Sequence, residues 1–117
     1  MRLTEVTYES GTPIDSYGPG FFRVGGVIHD GAMLLLPNQP RVWGGLSDAT
    51  AILSCAGLFD VLLIGTGATI ANLSVETRAR LDEANIGYDL MTTPTACRSY
   101  NILLAEGRRV IAALVPV

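Results

Sequence analysis

The sequence predicts an α/β fold in which helices pack on a mixed central sheet, preceded by an N-terminal β-meander. Hydrophobic residues make up 49% of the 117 residues and charged residues only 16%, which is typical of a well-buried globular chain. Glycine turns separate short apolar segments in the first forty residues, whereas helical and strand patterns alternate after them. A chain of this length fits one folding unit, so we expect residues 1–117 to form a single domain.

The first half contains three candidate strands, at residues 21–24, 27–29 and 32–36, each short, apolar and partly β-branched. Asp30 and Gly31 form the strongest hairpin signal, because both residue types tolerate the positive backbone angles of tight hairpin turns. We therefore expect these three strands to follow one another as hairpins in a β-meander.

The second half alternates helices with strands. Each predicted helix begins at a residue that can cap it, namely Ser47, Ser74 or Thr93, the last of which is followed by Pro94. The intervening strands are predicted at residues 61–64, 88–91 and 110–115. A strand-helix-strand unit normally crosses over to a parallel neighbour, which predicts a mixed sheet covered by helices.

The most informative segment is a short apolar run that ends in Gly65, Thr66 and Gly67. It predicts a buried strand opening into a glycine loop, the position at which open α/β sheets usually bind their ligands. The dinucleotide-binding fingerprint is incomplete, because Ile70 replaces its third glycine and the next helix begins late, near Ser74. The loop is therefore either a ligand site or a tight strand exit that only glycine permits.

Polar residues crowd the start of the third predicted helix, where Arg98 is the leading candidate for a binding residue. A guanidinium binds carboxylate or phosphate in a fixed fork, and the alternative is an ion pair with Asp60 or Asp89. Asn101 shares the helical face of Arg98 and is expected to bond the glycine loop, a ligand or another part of the fold.

Trp43 is interpreted either as an exposed anchor for a partner or as a lid over the core. Cys97 lies in the first turn of the third helix, where a helix dipole can activate a thiol. The single histidine, His29, completes no catalytic set with it, so we expect a buried structural thiol. Cys55 and Cys97 form no Cys-x-x-Cys pair, so neither a structural zinc site nor a disulfide framework is indicated. No familiar catalytic set is complete, and we predict no metal site, no cofactor and no catalytic residue.

Charge and hydropathy patterns exclude several classes of function. The net charge is −3 and no basic stripe is present, which argues against nucleic acid binding. The N-terminus carries Glu5, Glu9 and Asp15 without an apolar run, which is unlike a signal or transit peptide. No apolar run approaches the ~20 residues that span a bilayer. We therefore expect a cytoplasmic protein that is not an integral membrane protein.

The order and spacing of several segments resemble a small domain-of-unknown-function family. The segments are residues 17–22, 34–37 followed by Trp43, 63–67, 91–93, 96–103 and 106–108. This family includes the mitochondrial complex I (NADH dehydrogenase) assembly factor three and its bacterial and archaeal relatives. The resemblance implies a three-layer α/β domain without established enzymatic activity. It also implies a family surface or pocket marked by Gly65, Thr66, Gly67, Arg98 and Asn101.

Two functions follow from these observations. The first is a non-catalytic interaction protein, an assembly or chaperone-like factor whose partners are respiratory-complex subunits or assembly machinery. The alternative is a binder of a phosphate- or carboxylate-bearing small molecule, or an enzyme, that uses the glycine loop with Arg98. For an interaction protein we expect an exposed apolar patch that can include Trp43, whereas for an enzyme we expect a concave pocket with converging polar groups. Edge strands also favour a homodimer.

Overall fold

Eight strands and three helices make up residues 11–117, the part of the chain that the computed structural model describes. In chain order they are β1 (Ile14–Gly18), β2 (Phe21–Val24), β3 (Val27–Asp30), β4 (Met33–Leu36), β5 (Gln39–Val42), α1 (Ala49–Leu53), β6 (Val61–Thr66), α2 (Val75–Glu83), β7 (Asp89–Met91), α3 (Thr93–Ala105) and β8 (Val110–Val115). The alternation of helix and strand predicted for the second half is confirmed.

The N-terminal meander is a three-stranded antiparallel sheet in the order β1-β2-β3. Gly25 and Gly26 form the β2–β3 turn with φ values of +57° and +80°, the two positive angles that a tight hairpin turn of this hand requires. The predicted strands at residues 21–24 and 27–29 are confirmed, and β1 joins them on the outer side of β2.

The predicted hairpin at Asp30 and Gly31 is wrong. β3 does not pair with β4, and Gly31, with φ +81°, instead directs the chain from the meander into a second sheet. All four residues of β4 are buried, so this strand needs cover on both of its faces. An interior position in a sheet covered on both faces provides that cover, and β4 accordingly lies between β5 and β8.

The second sheet has five strands in the order β5-β4-β8-β6-β7. β6 is parallel to both β7 and β8, whereas β4 is antiparallel to β5 and β8. The predicted mixed central sheet is therefore confirmed. It carries one core on each face. The meander and α3 cover one face around Phe22 and Tyr100, and α1 and α2 cover the other around Ile52 and Leu81. This arrangement confirms the three layers.

One helix is capped at the predicted residue, and the caps of the other two lie one residue from the predicted positions. Ser74 caps α2 as predicted, accepting a hydrogen bond from the backbone N–H of Thr77. Asp48 rather than Ser47 caps α1, because its carboxylate reaches the N–H groups of both Gly44 and Ala51. The N-cap of α3 is Thr92 rather than Thr93, which places the Thr93 hydroxyl inside the fold.

Candidate functional site

The strand β6 extends through Gly65 and Thr66, two residues beyond the predicted strand at 61–64, so only Gly67 of the predicted glycine loop lies beyond the strand. These three residues, at the carboxyl end of β6, lie directly against the first turn of α3. Gly65 is buried, and a Cβ atom at this position would stand 2.9 Å from Thr93 Cα and 3.0 Å from Leu114 Cδ2. These distances are shorter than side chains normally allow, so Gly65 is what lets helix and strand approach this closely. The close approach expected of this glycine is made by another part of the same chain.

The Thr93 hydroxyl ties three elements together at this point. The Gly67 N–H donates to Thr93 Oγ1 at 2.8 Å, and the Thr93 hydroxyl donates to the carbonyl of Val115 at 2.5 Å. The Thr93 N–H in turn donates to the Gly67 carbonyl at 2.9 Å. Gly67 has φ +97°, a conformation that glycine adopts readily. The ends of β6 and β8 are thus fixed to the start of α3.

Thr66 is also bonded within the loop. Its hydroxyl donates to the Thr69 carbonyl at 2.8 Å, with the Met91 carbonyl as a second, longer acceptor at 3.3 Å, and its Oγ1 accepts from the Ala71 N–H at 3.0 Å. The hydroxyl of Thr66 and the backbone groups of Gly67 therefore have partners inside the protein. These hydrogen bonds stabilise the end of β6, and they leave neither the Thr66 hydroxyl nor the Gly67 N–H free to bind a ligand.

Arg98 is exposed in the second turn of α3. Asp60, one of its two expected partners, pairs with Arg109 instead, with guanidinium nitrogens 2.8 and 3.1 Å from the two carboxylate oxygens. The hydrogen bond from Arg109 lowers the pKa of Asp60 below its usual value. Within residues 11–117, no salt bridge joins Arg98 to Asp89. Arg98 is therefore accessible from solvent and without the internal ion pair considered for it.

Asn101 bonds the N-terminal strand. Its Oδ1 accepts from the Ile14 N–H at 2.8 Å, and its amide nitrogen donates to the Ile14 carbonyl at 2.9 Å. The Asn101 amide thus gives Ile14 one donor and one acceptor, the pair of hydrogen bonds that a neighbouring strand would otherwise supply. Of the three interpretations of Asn101, the structure shows a brace between α3 and β1.

Asn101→Ala is expected to lower the free energy of unfolding by about 1–3 kcal/mol, since both backbone groups of Ile14 lose their partner. Thermal unfolding measures the loss, and hydrogen exchange at the Ile14 amide locates it. Arg98→Ala is the control on the same helix, because its side chain is exposed and should change stability by less than ~0.5 kcal/mol. Equal melting temperatures for the two variants would contradict this role for Asn101.

Trp43 is only 3% exposed, and its indole N–H donates to the Asp48 carbonyl at 3.0 Å. It packs in the core beneath α1 and α2, as the lid interpretation requires. The strongly exposed apolar side chains lie elsewhere, at Val27, Ile28, Val42, Leu58, Ile70, Val75 and Ile102. The sequence did not single them out, because exposure at these positions depends on strand order and on which helix faces are covered.

Neither cysteine is an accessible nucleophile. Both side chains are buried, and burial raises the pKa of the Cys97 thiol to about 12. At neutral pH this thiol is protonated, which agrees with the structural role expected for it. Within residues 11–117 no three potential metal-ligating side chains of histidine, cysteine, aspartate or glutamate are grouped closely enough to hold a metal ion.

Two clefts flank β7, and no sequence pattern indicates either cleft. A cleft of about 610 Å³ opens at the starts of β6 and β7, where Phe59, Asp60, Tyr88 and Asp89 line it. A groove of about 410 Å³ runs between β7 and α3, lined mainly by apolar side chains: Val61, Leu63, Met91, Ile102 and Leu103, with Asp89 and Ser99. Neither includes the glycine loop or Arg98.

Comparison with known proteins gives the family. A family model described as a protein of unknown function, DUF498/DUF598, matches residues 14–115. The chain belongs to this family. An uncharacterised protein of Rhodobacter capsulatus is 42% identical over 117 residues, which cover 100% of this chain and 94% of that protein. The Danio rerio protein named NADH dehydrogenase (ubiquinone) 1 alpha subcomplex assembly factor 3 is 32% identical over 123 residues, which cover 99% of this chain and 71% of the relative.

The chain is also similar to a solved structure. The crystal structure of a Bartonella henselae protein described as an outer membrane protein matches with a TM-score of 0.80 and 35% identity, covering 95% of this chain and 99% of that one. The DUF498/DUF598 family thus includes complex I assembly factors, as the resemblance indicated. Among residues 11–117, no helix combines the length and the apolar character needed to cross a membrane.

Proposed function

We propose that this protein is a non-catalytic interaction protein that serves as an assembly or chaperone-like factor for a membrane respiratory complex. The observation that carries the proposal is the similarity to complex I assembly factor 3, which extends over 99% of this chain at 32% identity. The match extends over nearly the whole domain and is not confined to one segment.

The geometry of the glycine loop supports an interaction role over a ligand site. The polar groups of Thr66 and Gly67 are bonded within the protein, and Gly65 leaves no space between β6 and α3. Exposed apolar side chains are instead distributed over sheet edges and helix faces, such as Val42 at 89% and Val75 at 72% exposure. Ile28 and Val42 line one cleft, and neighbouring exposed apolar side chains of this kind suit contact with another protein.

The partners in this proposal are subunits of the respiratory complex or of its assembly machinery. We further propose that the protein meets them in the cytoplasm, before or while they reach the membrane. Gene deletion in the native organism tests the role, with assembled complex I measured on native gels and by NADH–quinone oxidoreductase activity. The proposal expects less assembled complex, restored by the wild-type gene. A normal level of assembled complex in the deletion strain would overturn it.

Arg98 belongs to the contact surface in this proposal, because it is exposed and carries a charge that no acid of residues 11–117 pairs with. Affinity purification under mild crosslinking should recover respiratory-complex subunits with the wild type and at least several-fold less with Arg98→Ala. Arg78→Ala is the matched control, since Arg78 is an exposed arginine on α2, across the sheet. Equal recovery with both variants would remove Arg98 from the contact surface.

A further inference from the structure

No strand of the described chain pairs with the outer edge of β7. Within residues 11–117, β7 is the last strand of the five-stranded sheet and pairs only with β6. An edge strand presents backbone N–H and C=O groups that an extended segment of another chain can pair with. The other outer strand of this sheet, β5, lies at the far side, where its partner is β4.

The surface beside this edge is apolar. Asp89 and Met91 point to the same side of the sheet, towards α3, because side chains alternate along a strand. Leu63 and Met91 line the groove from the sheet side, and Leu103 and Ile102 line it from α3. Ile102 is 53% exposed, so the α3 side of the groove is uncovered. A strand added to β7 would place every second side chain over this groove.

Charge selects one class of occupant. Asp89 is exposed, lines both clefts and has no salt bridge among residues 11–117. The nearby carboxylate of Asp60 is already paired with Arg109. A basic side chain placed opposite Asp89 would meet a carboxylate that no basic group of residues 11–117 pairs with.

A second copy of this chain fits the edge less well. Antiparallel pairing of β7 with its own copy would bring two Asp89 carboxylates to the same side of one seam, where like charges repel. A basic partner strand relieves that charge, whereas a second copy doubles it. The same argument counts against a homodimer through this edge.

We propose that the β7 edge is a docking surface for an extended segment of a partner protein that adds to the sheet as a strand. The segment carries a basic residue opposite Asp89 and an apolar residue two positions away, over Met91 and Ile102. This inference rests on the proposed function, because it describes how that partner is held.

Two synthetic peptides test the chemistry. The first is Thr-Val-Thr-Arg-Thr-Val-Thr with blocked ends, which reads the same in both directions, and the second replaces its arginine with glutamate. Amide chemical shifts of the labelled full chain should change at residues 89–91 and 102 with the arginine peptide. We expect it to bind at least tenfold more tightly than the glutamate peptide. Equal affinities, or no binding of either peptide at millimolar concentration, would overturn the proposal.

Charge reversal makes the test specific. Asp89→Lys should invert the preference, so that the glutamate peptide binds more tightly. Asp82→Lys is the control and should leave the preference unchanged, because Asp82 is an exposed acid on α2 outside both clefts. Ile102→Asp should weaken the binding of the arginine peptide at least fivefold without unfolding the protein, since the side chain is half exposed. Val75→Asp, at an exposed position on α2, is its control.

Further outcomes separate this inference from the proposed function. Shifts confined to β5, or a concentration-dependent dimer with protected β7 amides, would overturn the assigned occupant of the edge. In the deletion strain, Asp89→Lys should fail to restore complex I. If it restores complex I as well as the wild type, the docking surface is wrong and the assembly role stands. A deletion strain with normal complex I would remove the assembly role itself, whatever the peptides show.

Discussion

Gly65→Val is expected to lower the free energy of unfolding by about 3 kcal/mol, the upper part of the range for overpacking a well-filled interior. The new Cβ would stand 2.9 Å from Thr93 Cα, which is a backbone atom at the start of α3 and cannot rotate away. To admit it, the whole helix has to move off the sheet. The melting temperature should fall by roughly 10–20 °C, as measured by calorimetry or circular dichroism.

Gly87→Val is the matched control for this substitution. Gly87 has a negative or extended φ, and a Cβ atom there would meet nothing within 4 Å. The same change of residue type should therefore alter the melting temperature by only a few degrees. A loss at Gly65 no larger than the one at Gly87 would show that α3 does not hold the position described for it.

Thr93→Val is expected to have an effect of similar size, lowering the free energy of unfolding by about 2–4 kcal/mol. Valine nearly reproduces the shape of threonine, so the loss comes from hydrogen bonding and not from packing. The Gly67 N–H would lose its acceptor and the Val115 carbonyl its donor, and each group left unsatisfied costs roughly 1–3 kcal/mol. Denaturant unfolding measures the total, and faster hydrogen exchange at the Gly67 amide identifies its source.

Thr92→Val provides the comparison at the neighbouring position. The Thr92 hydroxyl makes no capping bond to α3 and donates only to the exposed hydroxyl of Thr95 at 3.2 Å. Removing it should change stability by less than about 0.5 kcal/mol. If Thr93→Val proved as stable as Thr92→Val, the three-way connection through the Thr93 hydroxyl would contribute nothing to stability.

The sequence predicts those parts of the fold that depend on local chemistry. Ser74 caps α2 in the structure as in the prediction, because a serine hydroxyl and the N–H groups of the following turn lie within a few residues of each other. The three strands of the second half are predicted for the same reason, since their apolar runs are local, although β6 runs two residues further than predicted, through Gly65 and Thr66. These signals need no knowledge of the tertiary structure.

Strand partners depend on distant residues, and the sequence predicted them less well. Asp30 and Gly31 indicate that the chain turns, but their chemistry does not say which strand β4 will pair with. The signal that could have decided the question was the run Met33–Leu36, which has no polar residue for a solvent-facing side. A strand of this kind belongs in the interior of a sheet.

At the candidate site, too, the sequence predicts local features but not contacts between distant residues. Glycine at position 65 predicts a close approach, and the structure shows that the approaching atoms are those of Thr93. No pattern around residue 65 identifies Thr93 as its neighbour, because the contact depends on how α3 crosses the sheet. The sequence likewise does not predict that Asp60 pairs with Arg109, or that β7 lies at the edge of the sheet in the described chain, since both depend on the order of strands.

The position of β8 has a consequence for how the chain reaches this structure. β8 is the last strand in the described chain, yet it lies between β4 and β6 and joins the two halves of the five-stranded sheet. During synthesis, β4–β5 and β6–β7 can form only as separate fragments with uncovered apolar edges until residues 110–115 leave the ribosome. Proteins dominated by such distant pairings fold slowly and expose aggregation-prone surface on the way. The chain therefore passes through a stage of its synthesis in which apolar surface that the finished sheet buries is uncovered.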